Sequence, residues 1–149
     1  MLNRYEKFST YIAGAYRYVQ KLEREEMEKY GLKGAYAQYL HAMRRSPEGV
    51  TSSQLCDICD KDKAAVSRAV AEMEEKGLIF RDGKNPYRAL LKLTETGKNA
   101  ADFVCERAEI AVREAGKGLS DEARAIFYTS LEIIASNLQK ICKEGIGKE

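Results

Sequence analysis

Between positions 52 and 88 the chain gathers side chains suited to holding phosphates and reading the edges of bases. Ser52, Ser53 and Gln54 offer hydroxyls and an amide; Lys61, Lys63, Arg68, Arg81, Lys84 and Arg88 are cations; Ser67 lies between the small residues Ala64 and Ala71. A guanidinium fork matches two phosphate oxygens or a guanine edge, a hydroxyl bonds either, and an alanine methyl can meet a thymine methyl. Overall charge gives no such hint, because 25 Lys plus Arg against 23 Asp plus Glu leave only +2 on 149 residues. Recognition of a polyanion must therefore come from where the charges sit.

Other reactive groups are few. Cys56-x-x-Cys59 lacks a second ligand pair nearby, so no metal is expected there. It reads either as a redox-active pair, with a thiol acidified near a helix N-terminus, or as two core cysteines. His41, the single histidine, is either a pH-responsive group or a packed core residue. With one histidine, no glycine-rich phosphate loop and no cluster of metal ligands, no nucleophile and base can be named, and neither catalysis nor a cofactor is expected.

These residues need elements to position them. Thr51 begins a run of hydroxyls able to cap a helix of about two turns that turns Leu55 and Cys59 inward. Asp60-Lys61 makes a turn. Asp62 caps a further helix whose inner face is Val66, Ala69, Val70 and Met73, and Gly77 ends it. Ala64, Ser67, Arg68 and Ala71 then face outward with Lys63 on the flank, while Glu72, Glu74 and Glu75 make the second half acidic. Residues 78–80 and 88–93 have strand character and join through Asp82-Gly83, with Lys84, Asn85 and Pro86 at the tip.

A helix-turn-helix followed by a basic hairpin is the order of a winged helix. Its second helix would enter a major groove N-terminal end first. Arg68 would then grip a guanine or a phosphate, Lys61 and Lys63 phosphates, and Ser52, Ser53 and Gln54 a phosphate at the start of the preceding helix. Arg81, Lys84 and Arg88 would face a minor groove or simply solvent.

Helices flank this module. Tyr5, Phe8, Ile12, Tyr16, Val19 and Leu22 form one stripe on a helix from about residue 3 to 29, and a second helix spans 34–44 with Tyr36, Leu40 and Met43 inward. A helix capped by Thr94 runs to about Ala115, and another begins at Ser120 carrying Phe127, Leu131, Ile134, Leu138 and Ile141 at heptad-like spacing. The terminal stripes either pack together in a monomer or join two chains, and the second arrangement buries more apolar surface. The expected class is mainly α with a small β-hairpin wing, a winged helix-turn-helix flanked by N- and C-terminal dimerisation helices. Its segments are 1–30 (dimerisation), 31–98 (DNA-binding) and 99–149 (dimerisation). The chain has no apolar run of about 20 residues and no signal-peptide-like start, so a cytoplasmic protein without membrane contact is expected.

The stretch resembles the multiple antibiotic resistance regulator (MarR) family of winged-helix transcription factors. Thr51-x-x-x-Leu55, Asp62-Lys63, Val66-Ser67-Arg68, Glu74-Glu75-Lys76-Gly77-Leu78-Ile79 and Leu93-Thr94-Glu95-x-Gly97 match its pattern over about a third of the chain. The resemblance implies a homodimeric repressor on double-stranded, pseudo-palindromic operator DNA, released by a small aromatic or lipophilic effector or by cysteine oxidation. Tyr11, Tyr16, Tyr36, Tyr39 and His41 are the candidate effector pocket, or else core and interface aromatics; Cys59 takes a position the family fills with leucine. The sequence departs from the family at the wing, where Pro86 stands two residues before Arg88 in place of a bracing aspartate. The alternative function is a winged helix that contacts protein without specific DNA binding.

Overall fold

A computed structural model describes residues 3–147; the outermost positions of the two expected terminal segments, 1–2 and 148–149, lie outside the described residues. Helix α1 covers Arg4–Lys29 and starts from a capping box in which Asn3 and Glu6 satisfy each other's backbone N–H groups. A 3-10 turn, Gly34–Tyr36, leads into α2, Ala37–Arg44. Helices α3, Ser52–Cys59, and α4, Lys63–Glu75, follow, then strands β1, Ile79–Asp82, and β2, Leu90–Leu93. Helix α5, Glu95–Ala115, and helix α6, Asp121–Glu144, complete the chain. None of the described helices is long and apolar enough to cross a membrane.

The chain divides into two compact units, Met1–Val112 and Arg113–Glu149. In the first, Leu55 of α3, Val66, Val70 and Met73 of α4, and Leu78 and Leu91 around the hairpin are buried with Leu40 and Met43 of α2. Each such side chain contributes roughly 1.5–3 kcal/mol of burial. The hairpin is antiparallel with Ile79 opposite Leu93 and Asp82 opposite Leu90, and Val50 adds a third, one-residue strand through paired bonds with Leu91. Helix α5 joins close to this sheet: Thr94 N–H bonds the Leu78 carbonyl at 3.0 Å, and Gly97 lies where a Cβ would overlap that carbonyl.

Two outer faces stay bare. On α1 only Glu26 and Met27 are buried, so Tyr5, Phe8, Ile12, Tyr16 and Leu22 of the expected stripe are exposed. In the second unit α6 buries no residue at all, and Phe127, Ile134, Leu138 and Ile141 stand open. Both rows are apolar side chains left open to solvent.

The second strand is shorter than its sequence suggests. Asn85 accepts the N–H groups of Arg88 (3.1 Å) and Ala89 (2.7 Å), and its side chain takes the Tyr87 N–H at 2.9 Å. This winds 85–89 into a single helical turn with Pro86 in the first position, where its fixed φ and missing N–H are favourable. Arg88 therefore belongs to the turn and not to the strand expected over 88–93.

Candidate nucleic-acid interface

The turn between α3 and α4 is built tightly. Thr51 and Gln54 form a reciprocal capping box, Asp60 adopts φ +49° at the end of α3, and Asp62 Oδ1 accepts the Ala65 N–H at 2.7 Å to start α4. Aspartate tolerates this left-handed position better than most side chains. The cap engages Gln54 Oε1 with Thr51 N–H at 2.8 Å, which leaves only the amide N–H groups of Gln54 to donate outward.

On α4, Lys63, Ala64, Ser67, Arg68 and Ala71 are exposed, and Val66, Val70 and Met73 are buried, as the helical periodicity predicts. The acidic second half is largely engaged in structure. Glu72 accepts from Lys33 and from the Tyr36 hydroxyl, both at 2.6 Å, and these bonds hold its carboxyl below the usual range. Burial, followed by the nearby Glu72, pushes the Tyr36 hydroxyl up to about 12. Glu74 pairs with Arg81 of β1.

That last pair bears on the wing. Arg81 also reaches the Pro86 carbonyl, Nη1 to O at 3.4 Å, so one guanidinium links α4 to the loop at the wing's tip. Lys92 pairs with Asp82 across the two strands at 2.7 Å. Arg81 and the Asn85 turn brace a wing in which Pro86 stands two residues before Arg88. By contrast Lys61, Lys63, Arg68, Lys84 and Arg88 are exposed and form no ion pair among the described residues.

A hollow of about 520 Å³ lies between α3, the first half of α4 and the wing. Ser52, Ser53, Lys63, Ser67 and Arg81 give it a polar lining, and Pro86 and Tyr87 form its wing side. Tyr87, 85% exposed beside Arg88, is a candidate contact that the sequence reading passed over. A tyrosine preceded by proline in a polar tip was its signal.

The expected effector residues part company. Tyr36 and Tyr39 are core side chains, and Tyr11 is 70% exposed on α1. Tyr16 and His41 meet in a second hollow of about 530 Å³, with Glu23, Arg44, Ile58, Cys59 and Cys105 among its walls. Cys56 and Cys59 also diverge: Cys56 lines the α4–wing hollow and Cys59 this second one, where burial, the largest influence, raises its thiol. Among the described residues no cluster of His, Cys, Asp and Glu has the makings of a metal site.

Comparison with known proteins places this geometry. Residues 30–86 match the sequence profile of the MarR family. A MarR transcriptional regulator from Methanosarcina mazei is 26% identical and superposes with a TM-score of 0.81 over 95% of this chain and 94% of its own. Residues 30–86 are thus similar to the winged helix of the MarR family. A MarR-family regulator from Listeria monocytogenes, solved with a 26mer DNA, shares the fold at a TM-score of 0.78, with 21% identity over 100% of this chain and 99% of that one. The S. aureus MepR–DNA complex shares it at 0.73, with 17% identity over 88% and 97%. No curated protein sequence matches the chain. MarR-family proteins are transcriptional regulators and not enzymes, and the mainly helical architecture with a two-stranded wing is theirs.

Proposed function

We propose that the chain is a sequence-specific DNA-binding transcriptional repressor of the cytoplasm, acting as a homodimer on a pseudo-palindromic operator. The observation that carries this reading is the set of exposed, unpaired cations Lys61, Lys63, Arg68, Lys84 and Arg88 around the open first half of α4 and the wing. Glu72 and Glu74 of the same helix, which would repel phosphates, are paired with Lys33 and Arg81. Arg68 and Ser67 read base edges, Ala64 offers a methyl contact, and Lys61, Lys63, Ser52, Ser53 and Gln54 position the backbone. Structures of relatives with DNA support the same role.

The bare apolar rows of α1 and of α6 support a dimer, and two copies would set their α4 helices about 34 Å apart, one turn of DNA. The hollow at Tyr16 and His41 supports release by a small aromatic or lipophilic effector. Fluorescence polarisation on random and then selected duplexes tests the reading. Affinity should fall steeply with salt, with a log–log slope near −0.9 per phosphate neutralised, and selection should enrich a two-fold-symmetric site. Absent or salt-insensitive binding by a folded dimer overturns it in favour of a protein-contacting winged helix.

A further inference from the structure

The second hollow contains a connected set of groups that DNA binding does not use. Cys105 on α5 places its Sγ 3.0 Å from Nδ1 of His41 on α2. The other ring nitrogen, Nε2, is enclosed and lies 3.2 Å from Oε1 of Glu23 on α1. Its N–H is not aligned for a straight hydrogen bond, so Glu23 acts on the ring chiefly as a negative charge. That charge favours the tautomer with its proton on Nε2, leaving Nδ1 to accept from the thiol. Arg44 lies on the same wall, fixed by its ion pair to Asp102 at 2.6 Å.

We propose that Cys105 is a covalent modification site for small α,β-unsaturated carbonyl compounds, with His41 as its base, Glu23 as the charge that steadies the imidazolium, and Arg44 as the cation facing the developing enolate. In the step, the thiol proton passes to His41 Nδ1, sulfur forms a bond to the β-carbon, and the carbon–carbon π bond breaks. The electron pair moves to the enolate oxygen, and the proton held by His41 returns to the α-carbon. Atoms and charge balance without an oxidant or a further reactant.

The surroundings suit such a reaction. Burial holds the Cys105 thiol above its ordinary value, with Asp102 and Glu23 acting in the same direction and Arg44 and Arg45 against it. The resting group is therefore the neutral thiol, and proton transfer to His41 accompanies attack. A hollow of about 530 Å³ accepts a molecule of drug-fragment size, and Tyr16 and Ile58 offer it apolar wall. The chemistry stands independently of whether the chain binds DNA.

The test is alkylation of the full chain by N-ethylmaleimide at pH 7, with peptide mass mapping to follow each cysteine and N-acetylcysteine as the reference thiol. Cys105 should react at least about 10-fold faster than the reference, a threshold set below the roughly 100-fold or more that general-base assistance supplies. His41→Gln should remove that advantage while leaving the rates at Cys56 and Cys142 unchanged. Burial without a base makes Cys105 slower than the free thiol. A wild-type rate equal to or below the reference, or an advantage that survives His41→Gln, overturns the proposal.

Discussion

Arg81 Nε stands 3.0 and 3.1 Å from the two carboxylate oxygens of Glu74, joining the first strand of the wing to the helix before it. Both side chains are about one-third exposed, so solvent screens the pair and its contribution to global stability is small, on the order of 1 kcal/mol or less. Its effect is local, on the angle and mobility of the hairpin. Glu74→Ala should leave the melting temperature nearly unchanged and speed amide exchange over residues 83–89. Unchanged exchange there would show that the Asn85 turn braces the wing alone.

Arg68 is exposed on the outward face of α4 and has no ion pair among the described residues. Arg68→Ala should weaken operator binding by about 1–3 kcal/mol and relax selectivity at one base position if it grips guanine. If it grips phosphate, affinity should fall evenly across sequences and the salt slope drop by about 0.9. Polarisation titrations at several salt concentrations separate the two.

Glu26 ties α1 to α5, accepting from Lys29 at 2.9 Å and from Arg107 at 3.1 Å while nearly buried. The Lys29 bond, ahead of the opposing effect of burial, brings its carboxyl below the ordinary 4.5, with Arg107 adding to it. A folded value below the unfolded one gives stabilisation that is complete above about pH 4.5 and is lost as pH falls through the folded value. Urea unfolding midpoints should therefore fall on acidification in this range, and Glu26→Gln should flatten that limb while lowering stability at pH 7.

Gly97 allows α5 to start against the Leu78 carbonyl. Gly97→Ala would force that backbone contact apart, and with Thr94 bonded to the same carbonyl at 3.0 Å there is little room to yield. A loss of about 1–3 kcal/mol is expected from denaturant unfolding. A neutral result would mean that α5 can shift on the sheet at little cost.

Much of the frame was legible because local signals agreed with one another. Asp62 and Ser120 cap the helices they were expected to start, Thr51 does so with Gln54 as its partner, and the inward faces of α3 and α4 follow their periodicity. The wing was less legible. Its second strand starts late, at Leu90 and not at Arg88, because Asn85 bonds the residues just after the tip, a choice made by side-chain and carbonyl geometry and not by strand propensity. Pairings between distant residues left no pattern at all: Arg81 with Glu74, Tyr36 with Glu72, and the Glu23, His41 and Cys105 set depend on how helices cross. The tyrosines show the same limit, since Tyr36 and Tyr39 are core and Tyr16 reaches a hollow although all three share a residue type.

Helix α6 runs 24 residues without burying one of them. Its caps secure its ends, but a single chain supplies it with almost no apolar burial. Under the proposed dimer its stability becomes a matter of mass action, so the midpoint of thermal unfolding should climb with protein concentration. In a cell the same linkage makes abundance an input in its own right. Scarce copies would remain single and unable to span both halves of an operator, and repression would set in over a narrow range of expression as pairs accumulate.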